Sequence, residues 1–334
     1  MPLLCVGPLL LLTLGGVHIS RRCATVGASS AAAALMLRPP RTALAEGPPS
    51  DATSLATFVE STAAVAPEAK LPISLALRPD YGIESPDVSY PPWTLGRWIA
   101  RSTLKAVYAP AGEEVFAPGQ NGTAALQKAR REVSEPPLEY EVRWRRNGAA
   151  AAADDQQQVV VDREFNVASI SRASMGPSAV QNVEADGPDH LTLVLRPAGA
   201  PKGSLFAADL RVVSRRTDTY PPVPSRPYLF VCAETVRQSV TTVAGERPEA
   251  AARPRPPLVK EIQTIVSYEL DPRNPHIMRG YQRTATFLVP DTAYTGDPTL
   301  AELAASRLSR APNGRLVAID VRLYELEYTR QQQK

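Results

Sequence analysis

The sequence predicts an all-β protein, an antiparallel up-and-down barrel of about 8–10 strands with short peripheral helices. Three observations predict it. Apolar and charged residues alternate with period two over many short segments, as half-buried antiparallel strands require. No regular helical pattern recurs between them, which argues against parallel βαβ units. Proline is frequent, 33 residues in 334, and sits mostly between the alternating segments, where it suits turns and breaks helices.

The mature chain is expected to begin with an extended leader, residues 46–89. A short helix on Leu55, Phe58 and Val59 is expected over 52–66, after which Pro67, Pro72, Pro79 and Pro86 keep the chain extended. A single barrel domain then covers 90–330. Its first strand places Trp98, Ala100, Ser102, Leu104, Ala106 and Tyr108 on one face, and Arg97, Ile99, Arg101, Thr103 and Lys105 on the other. A helix is expected over 123–133. Leu138, Tyr140, Val142 and Trp144 mark the next strand, and a valine run over 159–162 a short one. Alternation continues at Leu191, Leu193 and Leu195, at Phe206, Ala208, Leu210 and Val212, over 228–238, at Ile262, Val266, Tyr268 and Leu270, and over 280–289. In the last segment, 316–328, the apolar phase changes. Val317, Ile319, Val321 and Leu323 are odd, whereas Tyr324, Leu326 and Tyr328 are even, so a bulge or bend is expected near Leu323. A late helix starts at Asp297 or Thr299, with Leu300, Leu303, Ala304 and Leu308 on one face. Segments 149–158 and 241–257 lack a core pattern and read as loops.

Residues 1–45 read as a targeting presequence. An uncharged apolar run over 1–19 is followed by Arg21-Arg22, an acid-free Ser/Ala-rich stretch, a second apolar run over 31–37 and the small-x-small sequence Ala43-Leu44-Ala45. That order fits a signal, a transit-like segment and a lumen-type signal. The expected destination is a plastid, and within it the thylakoid lumen; secretion is the alternative. Neither run supplies the ~20 uninterrupted apolar residues of a spanning helix, so no transmembrane segment is expected in the mature chain.

Removing 1–45 removes four arginines and no acid, so the formal charge of +3 becomes −1. The basic balance belongs to the presequence and gives no reason to expect nucleic acid as a partner. Only Cys232, His190 and His276 remain of the cysteines and histidines. That excludes zinc-type cysteine clusters, and no metal or other cofactor is expected. No serine lies in a G-x-S-x-G elbow.

Gly96-Arg97-Trp98 opens the first strand. In position and residues it resembles the G-x-W of lipocalins, and the resemblance implies a tryptophan that plugs one barrel end and stacks on an arginine of the last strand. Trp98 takes the first role and Arg322 is the nearest candidate for the second. A longer resemblance is to a family of cyanobacterial and plastid proteins known as a domain of unknown function. Tyr90-Pro91-Pro92-Trp93, Ser102-Thr103-Leu104, Ala117-Pro118-Gly119-Gln120-Asn121-Gly122, Glu141-Val142-Arg143-Trp144, Asp162-Arg163-Glu164-Phe165-Asn166 and Val321-Arg322-Leu323-Tyr324-Glu325-Leu326 carry it, in order, across about 90–328. It implies the plastid address and the barrel without a mechanism.

The candidate ligand-binding residues are Trp98, Tyr140, Trp144, Asp162, Arg163, Tyr268 and Arg322; Trp93 and Phe287 are further candidates for lining a pocket. The aromatics would line a pocket or fill the barrel, since an eight-stranded barrel holds side chains or one small ligand. Asp162 and Arg163 would fix a polar head at the mouth, or make a charged turn. Asp189 and His190 are adjacent on a strand and therefore face opposite ways. The leading expectation is a non-enzymatic lumenal barrel that binds a hydrophobic small molecule or assists a photosynthetic membrane complex. The alternatives are a lipocalin-like enzyme acting on a carotenoid or lipid, with Asp162, Arg163 and Tyr140 as first candidates, and a structural docking protein with a filled barrel.

Overall fold

The computed structural model describes residues 55, 71, 73–117, 121–147, 158–196, 204–218, 221, 223–244, 258–288 and 315–331. The presequence, the late helix expected near 297–308 and all but Leu55 of the helix expected at 52–66 lie outside these residues. Ten strands form one antiparallel sheet: β1 (Gly96–Tyr108), β2 (Leu138–Arg146), β3 (Val159–Val161), β4 (Val180–Ala185), β5 (His190–Leu195), β6 (Leu205–Thr217), β7 (Leu229–Ala244), β8 (Leu258–Leu270), β9 (Ile277–Leu288) and β10 (Asp320–Arg330). Their order is β3-β2-β1-β10-β9-β8-β7-β6-β5-β4. Each spatial neighbour is thus a sequence neighbour, and the first and last strands also pair, Trp98 opposite Arg330. The sheet curls into a half-barrel, the up-and-down class that the alternation predicts.

Strands do not complete the ring. β3 and β4 are the free edges, and the helix between them, α3 (Arg163–Met175), packs on β2 and β4. Its polar side chains stand in for a missing strand. Asn166 accepts from the Arg143 N–H (2.7 Å) and donates to the Arg143 carbonyl (3.2 Å), as a backbone neighbour would. Ser169 Oγ accepts from the Glu141 N–H, and Glu164 accepts from the Ala185 N–H on the opposite edge. An unpaired sheet edge is a template for aggregation, and here those side chains occupy part of it. Asp162 caps the helix by accepting from the Phe165 N–H, and Gly176 ends it at φ +108°, a conformation glycine adopts most easily. Arg163, Val167 and Ile170, at i, i+4 and i+7, form its inward stripe. The alternation between 159 and 195 gave no sign of this helix or of β4. A stripe that begins with arginine and holds two aliphatic residues carries little helical signal.

Of the two earlier helices, one was expected and one was not. The expected helix at 123–133 is α2 (Gly122–Arg131), capped by Asn121, whose Oδ1 accepts from Ala124 N–H at 3.0 Å. Gly122 is required there, since a Cβ would lie 2.1 Å from the Glu113 carbonyl. Leu126 and Ala129 bury against Val107 and Phe116, which lays this connection across one end of the barrel. The leader is no loose extension. After a single turn α1 (Ile73–Ala76), Leu77 bridges Val317, Arg78 pairs with Glu261 (2.6 Å) and Tyr81 accepts from Gln263 (3.0 Å), all on the outer face of the sheet. The leader then bridges Arg215 at Ile83, and Tyr90 enters the interior, where its N–H donates to the Val159 carbonyl.

The leader gives the sheet a second core, which resolves the phase change. In β10 the residues alternate without a break. Tyr324, Leu326 and Tyr328 face the barrel interior, while Val321 and Leu323 face outward into the cluster with Leu71, Leu75, Ala285 and Phe287. The bulge expected near Leu323 lies instead in the facing strand, where the register shifts between Leu104 and Ala106 of β1. Beyond it Ala106 and Tyr108 turn outward and Val107 inward, so β1 does not keep one apolar face throughout. Phe287, expected to line the interior, is on the outer face.

Candidate functional site

The inner wall divides into a polar half and an aromatic half. In the polar half one inward row crosses four strands: Glu234 on β7 lies opposite Thr264 on β8, which lies opposite Thr284 on β9, which lies opposite Arg322 on β10. The next row holds Cys232, Val266, Gln282 and Tyr324. Ser102 Oγ, Thr284 Oγ1 and both polar atoms of the Gln282 amide have no hydrogen-bond partner among the described residues. Their residues are 4%, 1% and 1% exposed. Leaving such a group dry costs about 1–3 kcal/mol, so the wall at this level is built to meet water or a polar ligand group.

Two buried charge clusters flank those rows. In the first, Arg163 of α3 pairs with Asp87 of the leader (2.9 Å) and Glu234 of β7 (3.4 Å). Glu234 also holds Arg215 at 2.6 Å, and Arg215 reaches Asp189 at 2.9 Å and the carbonyls of Ser85, Pro86 and Pro188. Arg215 faces inward because β6 bulges between Val212 and Ser214, which re-aims every residue beyond it. Burial pushes the Asp87 carboxyl up to about 6 against the pull of Arg163, and brings the Arg163 guanidinium down to about 10. The second cluster lies toward the α2 end. Arg322 pairs with Asp320 and with Glu132, each at 3.0 Å. Lys260 on β8 faces the same interior, and burial lowers its amine to about 7 although Asp320 opposes this. Burial also raises the carboxyls of Asp320 and Glu132, in both cases against Arg322.

The aromatic half is packed. Trp144 meets Tyr268 edge-on at 5.7 Å and Tyr328 at 6.0 Å, while Tyr90 from the leader meets Phe230 at 5.2 Å. Tyr268 hydrogen-bonds the hydroxyls of Tyr328 and Tyr90, and burial holds all three phenols neutral by raising them. Trp98 closes this end. Its Nε1 donates to the Thr94 carbonyl (2.8 Å) and the Arg330 guanidinium lies 4.5 Å over its ring. The stacking arginine of the last strand is therefore Arg330, and Arg322 belongs to the opposite end. Trp98 and Arg330 are direct partners across β1 and β10, whereas Arg322 is eight residues away along β10.

The candidate residues do not form one group. Trp98, Trp144 and Tyr268 share the aromatic half, with Tyr140 buried beside them and opposite Ala100. Arg163 is internal, but its neighbour Asp162 is committed to capping α3 and to Arg143 at 3.2 Å. Trp93 packs at the margin of the same core. Asp189, in the bend before β5, and His190, the first residue of that strand, do not pair: Asp189 goes to Arg215, and His190 Nε2 lies 2.7 Å from Asp209. Sequence reasoning missed Asp87, Ser102, Arg215, Glu234, Lys260, Gln282 and Thr284 as site residues. Glu234 and Lys260 were the findable ones, since each is a charge in the inward phase of an apolar strand. Arg215 was not, because its direction depends on a bulge.

Two clefts open on the outside. One, of about 430 Å³, is lined by Glu164, Glu184, Asp186, His190 and Thr192; the other, of about 360 Å³, by Arg78, Arg237, Glu261 and Arg315. Among the described residues no group of three or more His, Cys, Asp or Glu side chains is placed to hold a metal ion, and no helix is long and apolar enough to cross a membrane. No curated protein and no solved structure matches the chain. A family match covers residues 82–311, from Gly82 in the leader through β9. The chain belongs to that family, described as Domain of unknown function (DUF6816).

Proposed function

We propose that this protein is a non-enzymatic binding barrel of the plastid, acting in the thylakoid lumen, that holds a small, largely hydrophobic molecule with a polar group. One observation carries the reading. Ser102, Gln282 and Thr284 turn unpartnered polar atoms toward one interior, above an apolar and aromatic floor. An amphiphile whose polar group met those atoms would remove their desolvation cost while its apolar part lay on the floor. The lumenal address rests on the order of segments in residues 1–45. The start of β1 and the Trp98–Arg330 stack support a lipocalin-like reading of the barrel.

The test is native mass spectrometry of the purified protein, followed by solvent extraction. The expected result is an equimolar organic ligand that is lost when Gln282→Leu and Thr284→Val are combined. A barrel that carries nothing, and takes up no apolar probe, would sink the reading. The tight aromatic packing would then favour the second one, a docking protein with a filled barrel that co-purifies with a membrane complex. Import of residues 1–45 fused to a fluorescent protein into isolated plastids tests the address separately, and export of that fusion from the cell would point to secretion.

A further inference from the structure

We infer that the outer cleft where the leader, β7, β8 and the segment entering β10 meet is an anion site, which takes a phosphate dianion, free or as the monoester of a small molecule. The cleft opens on the outside of the sheet, so this site is independent of ligand binding in the interior.

Three observations carry it. The first is a cavity with positive charge to spare. The cleft, of about 360 Å³, is lined by Arg78, Arg237 and Arg315 together with Asp80 and Glu261. Glu261 is 2% exposed, and both its oxygens are taken: Oε2 accepts from Arg78 Nε at 2.6 Å and Oε1 from Arg237 Nη2 at 2.7 Å. Asp80 is exposed to solvent, so the three guanidiniums outnumber the carboxylates. The second observation is the donors left over. Arg315 donates from Nε to the Arg78 carbonyl at 2.7 Å, and Arg237 gives Nε and Nη2 to Glu261. Both terminal nitrogens of Arg315, Nη1 of Arg237 and Nη2 of Arg78 have no partner among the described residues. Structural ion pairing thus accounts for Glu261 and the two arginines on it, and leaves Arg315 and the remaining donors without a role. A guanidinium is a rigid fork of N–H donors that fits phosphate oxygens. A carboxylate ligand needs one such fork; three forks from separate elements suit an anion with three terminal oxygens. Third, the cleft is held in place by backbone. Arg78 N–H donates to the Leu316 carbonyl and Ala318 N–H to the Ala76 carbonyl, each at 2.8 Å, and Arg237 lies directly opposite Glu261 across β7 and β8. A ligand therefore meets donors that lose little freedom on binding.

The experiment is calorimetric titration of the purified protein at neutral pH with glycerol 3-phosphate and with inorganic phosphate, in about 150 mM sodium chloride to screen loose surface attraction. Both probes are expected to bind one per chain and to compete, and the tighter of the two shows whether the group arrives free or on an organic stem. Arg237→Gln and Arg315→Gln are each expected to weaken binding at least about tenfold. The Arg237 side chain is 49% exposed, and Arg78 still pairs Glu261 in its absence, so this variant is expected to fold, with a thermal midpoint close to that of the unaltered protein. Arg101→Gln removes the same charge from a half-exposed side chain on β1 and is expected to change affinity less than about twofold. A loss at Arg101 equal to the loss at Arg237 would reduce the effect to net charge and overturn the site. Absence of binding by both probes would also overturn it, as would acetate held as tightly as phosphate.

Discussion

The two halves of the barrel interior share β7, β8 and β10 but solve opposite problems. Around Trp144, Tyr90, Tyr268 and Tyr328 the rings meet one another at 5.7–6.0 Å, and the tyrosine hydroxyls bond among themselves, which leaves Trp144 Nε1 as the unpartnered polar atom of that cluster among the described residues. Around Thr284 and Gln282 the wall is polar, buried and incompletely bonded. The difference teaches where to look for function. Stability resides in the aromatic end, and the polar end gives up stability to keep groups available.

Substitutions that test the division should differ in size and in sign. The largest loss is expected at the aromatic end. Trp144→Ala removes the ring shared by three others and should cost about 3–5 kcal/mol in denaturant unfolding. Glu234→Ala comes close behind, at about 3–5 kcal/mol, because it strands Arg163 and Arg215 without their common partner. A loss below about 1 kcal/mol at either site would mean that the network or the ring cluster is not formed in solution.

A pH effect of intermediate size comes from Asp87. Burial pushes its carboxyl from the ordinary 3.8 up to about 6 in the folded protein, so between these values the folded state holds a proton that the unfolded chain does not. Its contribution to stability is therefore fully present below about pH 4 and is lost as pH rises through about 6, amounting to roughly 2–3 kcal/mol across that window. Unfolding midpoints measured from pH 4 to 7 should show this rise toward acid, and Asp87→Asn should flatten it. An unchanged slope in the variant would assign the effect to other carboxyls such as Asp320.

At the seam, Asn166→Ala removes both bonds to Arg143 and should cost about 1–3 kcal/mol, with faster hydrogen exchange at Arg143. The smallest effect is expected in the polar half. There Gln282→Leu in the ligand-free protein should be neutral or stabilising by about 1 kcal/mol, since it replaces unpartnered polar atoms with apolar ones. A loss as large as that of Trp144→Ala would erase the distinction between the two halves.

The strands were legible in the sequence because period two survives wherever one face is apolar: nine of the ten observed strands, all but β4, fall in segments that alternate or in the valine run before α3. What was not legible was whatever depends on a partner far along the chain. The outer core on Phe287 and Val321 exists only because the leader lies over it. Arg215 and Tyr108 point where they do because of bulges. Helix α3 hid because its work is done by Asn166, Ser169 and Glu164 as surrogates for backbone, and no periodicity marks that role. Trp98 does stack on an arginine of the last strand, but register selects Arg330 and not Arg322.

The helix-filled seam has a geometric consequence. When every strand of a cylinder is hydrogen-bonded to the next, its girth is restricted to discrete values set by strand number and stagger. Here the last junction is a row of side-chain contacts from α3, so strand number and stagger alone do not set the perimeter. One wall of this vessel is a helical stave, and its width is set by side chains and not by the register of the nine strand junctions.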